Sequence, residues 1–156
     1  MFMIISYIIH IFYVYKRYND NTSLSNILCN EKYRNTILFF MGIMGIATIL
    51  YEIERNDILS TMFILGLLLC IYGLLLYNEK TKIHYIFSIG AFINIFVFMG
   101  RHFYLTNYNN ILGLLLLFSF GFLSPIIINL NGNIFYNEVS YVLIFAVYYM
   151  YLHYLT

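Results

Sequence analysis

The alternation of long apolar runs with short polar loops constrains this 156-residue chain more than any other feature. A helix needs about 20 apolar residues to cross the hydrocarbon core of a bilayer, and snorkelling side chains extend shorter runs. The runs are continuous, whereas strands of a membrane barrel alternate polar and apolar residues over about 10 positions. We therefore expect an all-α, polytopic integral membrane bundle of six transmembrane helices, at residues 2–15, 36–51, 58–77, 83–99, 111–129 and 139–155.

Composition favours lipid as the solvent of this chain. Charged residues make up 10% of it and hydrophobic residues 62%, whereas soluble domains carry about 25% charged residues. A water-soluble domain of this size could not hide so much apolar surface. Because no Pro- or Ser-rich linker divides the chain, residues 1–156 are expected to form a single transmembrane domain in an integral, multi-pass membrane protein.

The first apolar run differs from a signal peptide. Its basic residues, Lys16 and Arg17, follow the run instead of preceding it, and no small-residue cleavage site comes after them. We expect a retained first span, with His10 as a helix-packing or interfacial side chain. The serines of the following loop predict a turn or a short interfacial helix around Ser23-Leu24-Ser25-Asn26.

Several classes of ligand are disfavoured. The net charge of +1 gives no electrostatic case for a nucleic-acid partner. Cys29 and Cys70 are isolated, and no Cys or His pair has ligand spacing, so we predict no metal and no cofactor. The expected partners are membrane lipids, and the small-residue faces of the spans also allow a membrane-protein partner.

Polar residues inside the spans are the candidate binding residues. His84, Ser88 and Ala91 share one face of span 4, with Asn94 about 80° around from His84. Such side chains face the bundle interior in preference to lipid. The alternative for His84 is a structural hydrogen bond to a neighbouring carbonyl or tyrosine hydroxyl. Glu138, the fourth candidate, also suits the first turn of a helix, where its charge complements the helix dipole.

Three further groups are expected to be structural. The three carboxylates of residues 52–57 suggest a cation site, but the segment lacks the regular oxygen spacing of a calcium loop, so we expect a solvated loop. Gly66, Cys70 and Gly73 share one face of span 3 and predict a packing stripe. The tyrosines of span 6 are expected to bond across helices or to form an interfacial belt.

Three groups of residues resemble those of one membrane family. The first is a Ser-x-Ser motif with a following basic residue, Ser23-Leu24-Ser25-Asn26 with Arg34. The second is a histidine that opens span 4 and is followed by small residues, His84 with Ser88 and Ala91. The third is an acidic residue that opens span 6, Glu138. In this the chain resembles the six-helix damage-regulated autophagy modulators and their prokaryotic relatives. Asn26 stands where members often have Asp. The resemblance covers most of the chain and implies lipid-related or membrane-organising roles.

We therefore expect a non-enzymatic membrane protein that binds lipid or a partner protein within the membrane. A small transporter or channel is one alternative, although the spans hold few charged residues of the kind that ion paths need. The other is a lipid-modifying enzyme that uses His84 as acid or base with Glu138 or Glu79, although no histidines and acids are paired at ligand spacing.

The basic residues predict an orientation. Six of them lie in the loops after spans 1, 3 and 5, whereas only Arg55 and Arg101 lie on the opposite side. The positive-inside rule then puts both termini outside, while the family resemblance implies the reverse. Asn21 heads the one glycosylation sequon of the chain, in the loop after span 1.

Overall fold

The computed structural model describes residues 2–53, 57–77, 81–128 and 132–155, apart from the side chains of Cys29 and Glu31. These ranges contain seven α-helices and no strand, which confirms the all-helical class. The helices are α1 Phe2–Tyr18, α2 Leu24–Cys29, α3 Glu31–Ile53, α4 Ile58–Leu76, α5 Lys82–Leu105, α6 Asn110–Ile128 and α7 Phe135–Leu155.

Four of these helices are long and apolar enough to cross a membrane. They are α3 from Lys32 onwards, α4, α5 and α6. Helix α1, with 17 residues, and helix α7, whose six tyrosines lower its mean hydropathy, lie outside this set. The described part of the chain therefore supports a membrane protein with four clear candidate spans.

Polar residues extend the helices beyond the apolar runs. Helix α3 begins at Glu31 instead of residue 36, because Asn30 accepts backbone hydrogen bonds from its first turn. Helix α5 continues to Leu105, past the predicted end at residue 99. The short helix expected after the first span is present as α2, and the Ser23 hydroxyl caps it by accepting from Asn26 N at 3.0 Å.

The two ends of the bundle can be told apart by their contacts. At one end, where α1, α4 and α6 finish, Thr22 O accepts from the amides of Ile134 and Phe135, each at 2.9 Å. At the same end, Arg34 donates to the Leu75 carbonyl at 3.1 Å. We call this the Glu138 end. The opposite end, where α3, α5 and α7 finish, is the Glu52 end.

Helix α7 lies at the centre of the bundle. It contacts α1, α2, α5 and α6, and ten of its residues are buried, against four in α6 and three in α4. Tyr141 donates to the Phe92 carbonyl at 2.8 Å and Tyr148 to the Met99 carbonyl at 2.6 Å. The tyrosines predicted to bond across helices therefore join α7 to α5, whereas Tyr154 is 86% exposed, as an interfacial residue would be.

Small residues bring α4 and α5 together. A Cβ atom added to Gly73 would lie 2.3 Å from the Phe87 ring, and one added to Gly90 would lie 2.8 Å from Cys70 Sγ. Gly66 meets Asn94 in the same way, at 2.9 Å. The Gly66, Cys70 and Gly73 face of α4 is thus the packing stripe that the sequence predicts.

Candidate functional site

A cavity of about 120 Å³ lies among α1, α2, α3, α4, α5 and α7 and is partly open to the exterior. Most of its lining is aliphatic, contributed by Leu, Ile, Val and Met side chains. Few of the described lining residues have polar side chains: Tyr7, His10, Ser25, Ser88 and Glu138. An apolar cavity with a few polar groups that converge on it is the usual form of a small-molecule site.

Glu138 is the acidic side chain among the described residues that line this cavity. It lies in the first turn of α7 and is 1% exposed. The Leu24 amide of α2 donates to its Oε2 atom at 2.6 Å, so α2 is held across the start of α7. A carboxylate has about four acceptor positions, and the amino end of a helix favours negative charge. Glu138 is therefore suited both to fix α2 and to accept from a ligand.

Two serines accompany Glu138 in the cavity lining. Ser88 of α5 and Ser25 of α2 are both buried. Ala91, one turn beyond Ser88, also lines the cavity and leaves room beside it. The structure thus brings together two of the four candidate residues predicted from the sequence, Ser88 and Glu138.

His84 lies outside this cavity. It is 1% exposed, as an inward-facing histidine should be, and its Nδ1 atom is 2.9 Å from the Tyr77 carbonyl at the end of α4. Because a carbonyl only accepts, Nδ1 carries the hydrogen of this bond. The bond matches the structural alternative for His84 and joins the end of α4 to the start of α5.

Asn94 is also separate from the cavity lining. Its Nδ2 atom donates to the Gly90 carbonyl one turn earlier, at 2.8 Å, and lies 3.9 Å from Cys70 Sγ. The side chain therefore faces α4 and satisfies itself on its own helix, which is common for polar residues in apolar helices.

His10 lines the cavity, although the sequence predicted only a packing role for it. It is 3% exposed, its ring packs on Phe40 with centroids 5.3 Å apart, and its Nδ1 atom has no hydrogen-bond partner among the described residues. Tyr7, one turn away, is bonded to the Thr48 hydroxyl at 2.8 Å. No pattern in the sequence separates these two residues from ordinary packing residues.

A second polar feature, the Glu52 cluster, occupies the Glu52 end. It consists of Glu52, Asp57, Ser60, Arg101, His102 and Tyr149. Oε1 of Glu52 lies 2.8 Å from His102 Nε2 and accepts from the Tyr149 hydroxyl at 2.6 Å. Glu52, His102 and Tyr149 are each fully buried. Charged groups buried in this way are normally paired, as they are here.

Arg101 links this buried carboxylate to the start of α4. It donates to Oε2 of Glu52 at 3.4 Å and pairs with Asp57. Asp57 also caps α4 by accepting from the Ser60 amide at 2.8 Å. That amide, followed by the Arg101 charge, holds the pKa of Asp57 below its ordinary value of 3.8.

The expectation of a solvated loop at residues 52–57 is wrong for Glu52. Helix α3 continues to Ile53, and Glu52 is fully buried because it faces α5 and α7. Its helical position carried a signal, since Gly45, Thr48 and Glu52 fall on one face at i, i+3 and i+7. Glu54 and the two residues after it lie outside the described residues.

No family model, curated protein or solved structure matches this chain. Among the residues that the structure describes, no three His, Cys, Asp or Glu side chains are grouped so as to hold a metal ion. The cavity and the Glu52 cluster are therefore the features of the described structure that bear on function.

Proposed function

We propose that this chain is a six-span, non-enzymatic membrane protein that holds a lipid in the cavity beside Glu138. The observation that carries the proposal is the cavity itself, because it is apolar along most of its length and has its acidic group at one end of the bundle. A lipid has the same division between a polar end and an apolar chain. A partner protein is the other occupant that the sequence allows.

The six-span arrangement extends the four clear candidate spans to α1 and α7. Helix α1 contacts both α3 and α7 as a member of the same bundle. Its outward side chains are large and apolar: Phe2, Ile5, Ile8, Ile9 and Phe12 are 41–69% exposed. A contiguous apolar surface of this kind is costly in water. Seventeen residues span about 26 Å, which snorkelling Lys16 and Arg17 extend towards the 30 Å of the hydrocarbon core.

The resemblance to the damage-regulated autophagy modulators points in the same direction. All three groups of residues that carry the resemblance contribute to one cavity, through Ser25, Ser88 with Ala91, and Glu138. Membership of that family stays a proposal, and a lipid-related role is what it implies.

The test compares lipid retention in two glycine variants of α3. Gly45 lines the cavity and an added Cβ meets nothing within 4 Å, so Gly45→Leu has no clash at Cβ and should reduce the cavity volume. Gly42 also has open space at its Cβ, but it does not line the cavity, and Gly42→Leu is the matched control. Each protein is purified in mild detergent, checked for monodispersity and helix content, and extracted for lipid mass spectrometry.

We expect the wild type and Gly42→Leu to retain a lipid in fixed proportion to protein, and Gly45→Leu to lose it. Equal retention in all three proteins would overturn the lipid site. Loss of a co-purifying protein instead of a lipid in Gly45→Leu would favour the partner-protein alternative.

A small transporter is the second candidate, and the Glu52 cluster is the observation that favours it. The scarcity of charged residues inside the predicted spans disfavoured a transporter. In the structure, however, Glu52 and His102 are fully buried and bonded to each other. Buried acid–histidine pairs are typical of proton relays in membrane proteins. Proton flux into liposomes that is lost in Glu52→Gln would support this candidate.

The geometry gives less support to the alternative of a lipid-modifying enzyme. His84 does not line the cavity, and its Nδ1 atom is bonded to the Tyr77 carbonyl. A lipid in the cavity would therefore contact Glu138 and Ser88 without contacting His84. Lipid turnover by the wild-type protein that is lost in His84→Ala would favour the enzyme.

A further inference from the structure

Three histidines, His10, His84 and His102, each have a buried ring nitrogen without a hydrogen-bond partner among the described residues, and of the three His10 is the one that lines the cavity. It lies on α1, lines the cavity and is 3% exposed. Its Nδ1 atom is buried without a hydrogen-bond partner among the described residues. Buried polar atoms are nearly always bonded, so an exception in a cavity lining points to a missing partner. A polar atom of a bound ligand would supply that partner.

Glu138 determines which polar ends the cavity accepts. No Lys or Arg is found among the described residues that line the cavity, so an anionic end of a ligand would meet no cation there. Oε2 of Glu138 accepts from the Leu24 amide at 2.6 Å, so this carboxyl group acts as a hydrogen-bond acceptor. Hydroxyl and amine groups can donate to such an acceptor, whereas carboxylate and phosphate anions cannot.

His10 lies one helical turn deeper in the bundle than Glu138. The ring contacts Tyr15–Tyr136 and Tyr7–Phe145 give the register of α1 against α7, with centroids 6.2 and 5.1 Å apart. In that register His10 is level with Val142, which also lines the cavity. Four residues of helix separate this level from Glu138, or about 6 Å.

The cavity volume limits the number of chains. It is about 120 Å³, and an engineered apolar cavity of about 150 Å³ holds one benzene molecule. There is space for a short segment of one chain, whose remainder leaves through the open side. Two acyl chains side by side would not fit.

Resting on the proposed lipid site, we propose that the ligand is a single-chain amphiphile whose polar end donates hydrogen bonds through hydroxyl or amine groups. Glu138 accepts from this polar end, and His10 bonds a second polar atom about one turn deeper. Ser25 and Ser88 complete the polar lining. The chain then runs along the aliphatic wall towards the open side.

The experiment measures binding of three probes with the same 12-carbon chain to the full-length protein in lipid nanodiscs, by native mass spectrometry at neutral pH. The probes are 1-dodecanoylglycerol, dodecylamine and dodecanoic acid. We expect the glyceride and the amine to bind about tenfold more tightly than the acid, the ratio that one charge-assisted hydrogen bond supplies. Comparison of the glyceride with the amine shows whether the cavity prefers a hydroxyl donor or an amine donor.

Two variants test the roles of Glu138 and His10, and a variant of another histidine is the control. Glu138→Gln keeps an acceptor for the Leu24 amide but removes the charge, and it should bring the three affinities to within about threefold of one another. His10→Phe keeps the ring that packs on Phe40, and it should weaken the two donor probes about tenfold. His153→Phe changes an exposed histidine outside the cavity lining and should leave all three affinities unchanged.

The outcomes separate this inference from the proposed function. Equal binding of the acid and the donor probes would overturn the ligand class, even if Gly45→Leu still released the co-purified lipid. Unchanged binding in His10→Phe would overturn the role of His10. Probe binding that survives Gly45→Leu would place the probes outside the cavity and overturn the inference as a whole.

Discussion

At the residue scale, Glu52 connects more of the bundle than any other described side chain. It lies on α3 and bonds or pairs with Ser60 of α4, with Arg101 and His102 of α5, and with Tyr149 of α7. One carboxylate thereby fixes the Glu52 end of four helices. The spacing of Glu52 from Gly45 and Thr48 indicated the face it shares, but an acid at the end of an apolar run usually points to water, and the sequence was interpreted by that rule.

Removal of Glu52 should destabilise the protein strongly. Glu52→Ala leaves His102 buried without its acceptor and leaves Arg101 paired with Asp57 alone, and breaking a buried pair costs about 3–5 kcal/mol. Glu52→Gln retains an acceptor for Tyr149 and should cost less. Unfolding in detergent, followed by circular dichroism, measures both, and Ile53→Ala, at a 61% exposed neighbour, is the control. A loss in Glu52→Ala no larger than in the control would contradict the assigned role.

Asp57 gives the cluster a dependence on pH. Its pKa is lowered in the folded protein, first by the Ser60 amide and further by Arg101. The ionised form is therefore favoured by folding, and the resulting stability is present above the ordinary value of 3.8 and lost as pH falls through the lowered value.

The comparison that isolates this effect is with Asp57→Asn, which still caps α4 but does not ionise. The difference in free energy of unfolding between the two proteins should be constant from pH 7 to about 5 and shrink below about pH 4. A difference that stays constant to pH 3 would show that Asp57 is not the group concerned.

At the element scale, the sequence predicted which helices exist and how α4 packs, because both depend on local pattern. Continuous apolar runs fix the helices, and Gly66, Cys70 and Gly73 mark a face by spacing alone. It did not predict that α7 is central. The tyrosines of α7 suit an interface equally well, and the carbonyls of Phe92 and Met99 that accept from Tyr141 and Tyr148 are supplied by a distant helix, α5.

The α4–α5 contact is tested at its tightest point. Gly73→Ala places a methyl group 2.3 Å from the Phe87 ring and should destabilise the protein by about 1–3 kcal/mol. Gly100→Ala, where nothing lies within 4 Å, should be neutral or stabilise by about 0.4–1 kcal/mol. Phe87→Ala should rescue Gly73→Ala in a double-mutant cycle. Equal stability of the two alanine variants would mean that α4 and α5 do not approach at Gly73.

At the scale of the whole molecule, the candidate site was only half predictable. Ser88 was predicted as a polar residue inside a span and Glu138 as an acidic residue in the first turn of the last helix, and both line one cavity. His84 and Asn94 were chosen by the same rule as Ser88, yet each bonds a nearby backbone carbonyl. Helical periodicity shows which residues share a face, but the neighbour of that face depends on packing between distant segments. His10 was missed for this reason, because its exposure to a cavity is a property of six helices together.

The orientation of the whole bundle follows from the distribution of basic residues. Lys16, Arg17 and Lys82 belong to the Glu138 end, where α1 finishes and α5 begins. Arg101 belongs to the Glu52 end and is already paired with Glu52 and Asp57. The positive-inside rule therefore predicts a cytoplasmic Glu138 end, with both termini on the outer side.

Single cysteines that react with a membrane-impermeant maleimide test this arrangement in intact cells, in a background that lacks both native cysteines. Exposed positions are available at each end: Asp20 and Lys82 at the Glu138 end, Tyr104 and Tyr154 at the Glu52 end, and Phe2 at the start of α1. With six spans and both termini outside, Phe2, Tyr104 and Tyr154 should label, while Asp20 and Lys82 should label only after permeabilisation. The reverse pattern would keep the six spans and overturn the orientation. Labelling of Tyr154 together with Asp20 would mean that α7 does not cross, and labelling of Phe2 together with Asp20 would mean the same for α1.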